Sequence, residues 1–239
     1  VRHEIAARLP LQAVLFDMDG TLVDTERLWW EAVEQVAGVF GHTLTDADQP
    51  EVLGRAVEHT AGWLAATSAS PAGTIARDLH RAFGERVRTG IVPRPGATVL
   101  LDALARESVP TALVTASPRA IADTVLAALG PERFAVSVTA DDTERTKPAP
   151  DPYLAACRAL GVDPAACVAV EDTRTGVASA ESAGCAVLAV PSLAPIGPAA
   201  GRTVLSSLEG VTPDRLRAMI AWGGPTPSGD VGPGRRGPA

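Results

Sequence analysis

Asp17 and Asp19 stand two residues apart, directly after the apolar run Ala13 to Phe16, and the chain then turns through Gly20-Thr21. An apolar run of that kind fits a strand buried on both faces. If the strand ends near Asp17, both carboxylates project from the carboxyl edge of a parallel sheet, where open α/β folds bind their ligands. Two acids so close repel each other unless a proton or a cation lies between them. A hard divalent cation such as Mg2+, held by carboxylates, carbonyl oxygen and water, suits the pair. A strand ending in an ordinary acidic turn suits it as well, because Asp and Gly are common turn residues.

Three further segments carry groups that could join this pair. Thr115 and Ser117 follow Ala112-Leu113-Val114, Lys147 precedes Pro148-Ala149-Pro150, and Glu171-Asp172 follow Val168-Ala169-Val170. Carboxylates, a hydroxyl and an ammonium at one sheet edge would meet the needs of phosphoryl transfer: a nucleophile, a proton donor, a metal and cations around the transferring group. Each segment has a plainer reading. Ser117 before Pro118 fits a helix N-cap, Lys147 a solvated surface residue, and Glu171-Asp172 an acidic loop. Two patterns weigh towards a shared site. Lys147 is the only lysine in a chain that otherwise uses arginine, and Glu171-Asp172 follow their apolar run as Asp17 follows Val14-Leu15-Phe16.

The elements that must position these groups follow from periodicity. A strand over about 13–19 leads to a helix from Thr25-Glu26 through Trp29, Trp30, Val33 and Val36 to Gly41. A loop over 46–50, a helix over 51–66 and a third helix to Gly90, capped by Ser70-Pro71, complete an all-helical stretch. After Pro93 and Pro95 the pattern alternates: helix 97–107, strand 110–115, helix to 129, strand 134–139, helix 151–160, strand 167–170, helix to 183 and strand 185–190. Strands alternating with helices indicate an α/β fold, a doubly wound, Rossmann-like parallel sheet. The domains expected are therefore a core of 1–23 and 93–222, a small helical domain of 24–92, and a Gly/Pro-rich disordered tail of 223–239.

Composition bounds the function. With 239 residues, 46% of them apolar, the chain can bury a real core. No apolar run approaches the roughly 18 residues of a membrane span, and the N-terminal segment lacks the apolar stretch of a signal peptide. A net charge of -7 argues against a nucleic-acid surface and leaves any phosphate to be caught by local cations. Cys157, Cys167 and Cys185 show no metal-ligand spacing and read as small buried residues of a reducing, cytoplasmic protein.

Taken together, the four segments resemble the four motifs of the haloacid dehalogenase superfamily of aspartyl-phosphate hydrolases. Asp17-Met18-Asp19-Gly20-Thr21-Leu22-Val23-Asp24 is similar to its first motif and Val114-Thr115-Ala116-Ser117 to its second. Lys147-Pro148-Ala149-Pro150-Asp151 is similar to the third, and Val170-Glu171-Asp172-Thr173 with Gly176 to the fourth. The resemblance covers about Leu11 to Trp222 and implies roles. Asp17 would be the nucleophile and Asp19 the general acid and base. Mg2+ would bind Asp17, the main-chain carbonyl of Asp19, and Asp172, with Glu171 in its outer shell. Thr115 and Lys147 would hold phosphoryl oxygens, assisted by Gly20, Thr21, Ala116 and Ser117, and loss of Lys147 would cost activity more than stability. The helical stretch resembles a cap that closes over the site, with Arg55 either in its substrate loop or facing solvent.

The subgroup follows from details. Asp19 argues for phosphate esters over dehalogenation, and a cap without lysine excludes phosphonoacetaldehyde-type chemistry. The Thr-Ala-Ser and Glu-Asp signatures are also those of β-phosphoglucomutase-like mutases. These usually carry a histidine and an arginine where Trp29 and Val57 stand here. A phosphatase for a small phosphorylated sugar, polyol or glycolate-type metabolite is the expectation, acting as a monomer or homodimer. A phosphomutase is the alternative and a non-catalytic binding module the more distant one. Trp29 and Trp30 are expected in cap packing, and His42, His59 and His80 as structural or exposed residues.

Overall fold

The computed structural model describes residues 10–220. The expected disordered tail of 223–239 and the first nine residues lie outside them. Six short strands form one parallel sheet: β1 (Ala13–Phe16), β2 (Thr111–Val114), β3 (Val136–Val138), β4 (Cys167–Glu171), β5 (Ala186–Ala189) and β6 (Arg202–Val204), in the order β3-β2-β1-β4-β5-β6. β1 lies between β2 and β4, with Val14 opposite Thr111 on one side and Val168 on the other. The chain builds outward from β1 to β3, then crosses to β4 and builds the other way. That reversal beside β1 opens a crevice at the carboxyl ends of the strands.

The segment from Thr25 to Gly90 after β1 is helical, as its periodicity predicts: α1 (Thr25–Val39), α2 (Gln49–Val52), α3 (Val57–Ala66) and α4 (Ala72–Gly90). Its own core joins Trp29, Val33 and Val36 to Val52, Leu64, Ile75 and Leu79. The Trp29 indole donates to the Val52 carbonyl at 2.8 Å and its ring meets Phe83 edge-on, so the expectation of packing for Trp29 holds. Two chain crossings tie this segment to the sheet. The Asp24 N–H donates to the Val92 carbonyl and the Arg94 N–H to the Leu22 carbonyl.

Local details correct the sequence reading. The expected loop over 46–50 holds a 3-10 turn, Asp46–Asp48, closed by a capping box between Thr45 and Asp48, and α2 starts already at Gln49. The expected single helix over 51–66 is broken, because Leu53 leaves the helix with ψ 131° and Gly54 turns the chain at φ 67°, which ordinary side chains resist. Ser70 does not cap α4. Pro71 occupies the N-cap position and no side chain bonds there. β6 and the last helix were not anticipated, since Arg-Thr-Val shows no apolar run and the helix has only eight residues.

The remaining helices cover both sheet faces: α5 (Ala97–Arg106), α6 (Arg119–Leu129), α7 (Asp151–Leu160), α8 (Arg174–Ser182) and α9 (Pro213–Ile220). Alternate strand residues feed two cores. Val14, Phe16, Leu113, Val168 and Val170 pack with Leu100, Val125 and Leu216 from α5, α6 and α9. Ala13, Leu15, Ala112, Val114 and Ala169 pack with Tyr153, Ala156 and Val177 from α7 and α8. Each fully buried Leu or Phe contributes about 1.5–3 kcal/mol. A one-residue slip would exchange the faces, so this packing fixes which way the residues after each strand point.

Candidate active site

The acidic and hydroxyl groups singled out above come from the ends of three adjacent strands. Asp17 follows β1, and its N–H continues the ladder by donating to Val170. Thr115 follows β2, while Glu171 ends β4 and Asp172 comes next. Lys147 arrives from the loop between β3 and α7. Its ammonium donates to Asp17 Oδ1 at 2.6 Å, Glu171 Oε1 at 2.6 Å and the Val114 carbonyl at 2.8 Å. All three N–H bonds of the ammonium are therefore used. The lysine side chain is only 5% exposed, so the surface reading of Lys147 is set aside.

The carboxylates outnumber that cation. Asp17, Glu171 and Asp172 each present an oxygen within 4.8 Å of the other two, and all three residues are buried. Asp17 Oδ2, Glu171 Oε2 and Asp172 Oδ1 are buried without a hydrogen-bond partner. Asp172 Oδ2 accepts from the Ser192 hydroxyl. Buried carboxylate oxygens left unpaired are costly. A cluster of three carboxylates around one ammonium, with orphaned oxygens and no sulfur or imidazole, is the donor set of a hard divalent cation.

The electrostatics agree. Burial, and then the charge of Asp17, raise Glu171 to about 7 against the opposing pull of Lys147. Burial and Asp17 likewise raise Asp172 to about 8. Burial works against a charged Lys147, but the Asp17 and Glu171 charges outweigh it and hold the ammonium above the usual lysine value.

Asp19 belongs to a second cluster. Its Oδ1 accepts from the Thr25 hydroxyl at 2.7 Å, and its Oδ2 from Ser117 at 2.7 Å and Thr115 at 3.2 Å. Ser117 is thus not the N-cap of α6. Pro118 takes that position and the serine hydroxyl turns to Asp19. Burial, then repulsion from Asp17, raise the Asp19 pKa, although the three hydroxyls pull it down. A carboxyl group whose pKa is raised beside a second carboxylate suits proton transfer.

Two glycines make room. A Cβ on Gly20, which lies at φ 77°, would stand 2.1 Å from Asp172 Oδ2. A Cβ on Gly176 would overlap the Glu171 carboxylate, at 1.9 Å from Oε2 and 2.1 Å from Oε1. Gly176 lies in the first turn of α8, where its N–H donates to the Thr173 side chain. The Gly176→Ala substitution is expected to push the Glu171 carboxylate off Lys147. Affinity for a divalent cation, measured calorimetrically on folded protein, should fall on the order of ten-fold or more.

The other expected site residues make no bond to these two clusters. Ala116 is exposed between Thr115 and Ser117. The Thr21 side chain is buried, has no partner for its hydroxyl, and lines a cavity of about 240 Å³ with Arg94, Val190 and Ser206. Arg55 is exposed and its Nε donates to the Pro50 carbonyl at 2.8 Å. His59 pairs with Glu51, and His42 lies edge-on to Trp63. Three residues with a place in the site were not singled out: Thr25, Ser192 and Tyr153. Tyr153, whose hydroxyl donates to Glu171 Oε1 at 2.6 Å, is the only tyrosine in the chain and lies six residues after the only lysine. That coincidence was legible.

Comparison with known proteins places this geometry. The chain is 35% identical over 188 residues to hexitol phosphatase A of Escherichia coli, covering 74% of this chain and 81% of that protein. It is 33% identical over 197 residues to protein CbbY of Rhodobacter capsulatus, covering 77% and 87%. The crystal structure of CbbY from Rhodobacter sphaeroides in complex with phosphate superposes with a TM-score of 0.73 at 28% identity, over 86% of this chain and 99% of that one. Residues 11–184 match the family model described as haloacid dehalogenase-like hydrolase, which spans all four acidic and basic segments. The chain belongs to the haloacid dehalogenase-like hydrolase family.

Proposed function

We propose that the protein is an Mg2+-dependent phosphatase that hydrolyses a small phosphorylated sugar, polyol or glycolate-type metabolite through an aspartyl phosphate on Asp17. The observation that carries this reading is the Lys147 ammonium joined to both Asp17 and Glu171 while three carboxylate oxygens around it stay unpaired. The similarity to hexitol phosphatase A supports the substrate class.

The roles follow from the placement. Asp17 attacks phosphorus through a carboxylate oxygen, and the bond from phosphorus to the ester oxygen breaks. Asp19 gives its proton to the departing alkoxide. Water then attacks the same phosphorus, Asp19 takes the proton, and cleavage of the bond to Asp17 restores the carboxylate. Lys147 offsets charge on Asp17 throughout, and the Thr115 and Ser117 hydroxyls can turn from Asp19 to phosphoryl oxygens. Asp17, Asp172, Glu171 and the Asp19 carbonyl would hold Mg2+, which supplies positive charge to an approaching phosphate dianion.

Residues 24–92 serve as the cap. A Cβ on Gly54, in the loop after α2, would stand 3.4 Å from Leu193 beyond β5, which brings this loop over the carboxyl edge of the sheet. The phosphatase reading is favoured over the mutase because Trp29, standing where the mutases carry histidine, is buried with its N–H committed to Val52. Val57 packs against the helical core. A screen of phosphorylated metabolites with Mg2+ tests the proposal. Released phosphate supports it, whereas isomerised product without phosphate release, or no turnover and no Mg2+ binding, rejects it.

The metal-free protein should lose stability as pH rises. Glu171 and Asp172 have folded pKa values of about 7 and about 8. Both lie above the ordinary carboxylate range, so the folded state binds more protons between about pH 4 and pH 8, and stability falls across that window. Mg2+ competes with those protons and should stabilise more at pH 8 than at pH 6. Thermal melts with and without Mg2+ at the two pH values measure this. A flat metal-free profile would contradict it.

A further inference from the structure

Glu171 Oε1 accepts two hydrogen bonds, from Lys147 Nζ and from the Tyr153 hydroxyl, both at 2.6 Å, while Oε2 has no partner. The phenol is fully buried in the first turn of α7, and its ring centroid lies 5.2 Å from the Lys147 nitrogen. A phenylalanine would fill the same space in the core and keep the ring beside the ammonium. It would also avoid burying a hydroxyl, which costs free energy unless the hydroxyl is bonded. What the tyrosine adds over phenylalanine is therefore one hydrogen bond, directed at one oxygen of one cluster carboxylate. Gly176 makes room for the carboxylate in this placement, and two donors fix its rotation.

We propose that Tyr153 is a positioning residue for the metal site: its hydroxyl occupies Glu171 Oε1 and so keeps Oε2 free for the cation or a water bound to it. This rests on the metal-site reading given above. Outer groups that orient a ligand typically change metal affinity by about 10–100-fold when removed. They do so without touching substrate.

The test is Mg2+ titration of metal-stripped wild-type protein and of Tyr153→Phe by calorimetry, with thermal melts of both in the absence of metal. The expected result is a dissociation constant about ten-fold weaker in Tyr153→Phe, with a metal-free melting temperature close to wild type. Hydrolysis should then be lost at low Mg2+ and recovered at high Mg2+, with little change in KM for the phosphorylated substrate. Because Tyr153 is the only tyrosine, wild-type protein offers a second measurement that needs no variant: Mg2+ should produce a tyrosine difference band in the near-ultraviolet. Equal Mg2+ affinity in the two proteins, or no tyrosine band on saturating the wild type, overturns the inference and leaves the metal site standing. Absence of Mg2+ binding to wild type overturns both.

Discussion

Asp17→Asn lowers phosphate-ester hydrolysis by at least about 10⁴-fold and leaves the fold intact. An amide of the same shape can still sit against Lys147, but it cannot form the acyl-phosphate bond on which both half-reactions depend. The electrostatic setting makes the outcome specific. Asp17 is the charge that, after burial, most raises Glu171, Asp172 and Asp19. Removing it lets those three carboxyls fall towards ordinary values, so the cluster carries less repulsion and no stability should be lost. Steady-state kinetics with a responsive metabolite, together with a thermal melt, read both effects. Residual activity above one part in a hundred in folded protein would mean that the nucleophile lies elsewhere.

Lys147→Met is the second large effect, and it strikes stability as well as rate. The ammonium is the one cation in contact with Asp17 and Glu171 among the described residues. Its loss should reduce hydrolysis on the order of 10³-fold if, as proposed, it offsets charge on Asp17 and on the phosphoryl group. Leaving buried carboxylates without their partner costs about 3–5 kcal/mol while they stay ionised. Burial thus brings the stability cost close to the catalytic one, although the sequence alone suggests a cost mainly in activity. Protonation softens it, and Glu171, at about 7, is placed to take up a proton. Denaturation of the metal-free variant should show a small loss at pH 6 and a larger one at pH 8. Equal stability to wild type at pH 8 would contradict this. Lys147→Arg is not expected to restore function, because a planar fork cannot place three donors on three converging acceptors.

Much of this was legible because the central strands are buried on both faces. Apolar runs such as Val14-Leu15-Phe16 and Val168-Ala169-Val170 announce themselves, and the polar residue that ends each run is delivered to the crevice. Asp17, Thr115, Glu171 and Asp172 follow from that rule, whereas Lys147 lies in a loop and stands out only as the single lysine of the chain. The direction of individual hydrogen bonds was not legible. Ser117 looks like a cap in sequence because Ser-Pro starts helices well, yet α6 has Pro118 at its N-cap and the Ser117 hydroxyl donates to Asp19 across the loop. The break at Gly54 hides in a stretch of good helical spacing, and β6 at the sheet edge, three half-buried residues, is too short to show a pattern. Tyr153 escaped because an aromatic in the first turn of a helix reads as core. Its ring does lie there, and only its hydroxyl reaches the acids.

The single lysine of the chain has its nitrogen enclosed by acceptors and held in its protonated form. Acylating and carbamylating reagents attack only neutral amines that they can reach, so this side chain should stay silent towards them while the crevice is intact. A label appearing on it would report the moment at which the acids release it. The enzyme therefore carries a built-in footprinting probe: with no other lysine in the chain, any lysine-borne label can come only from this site.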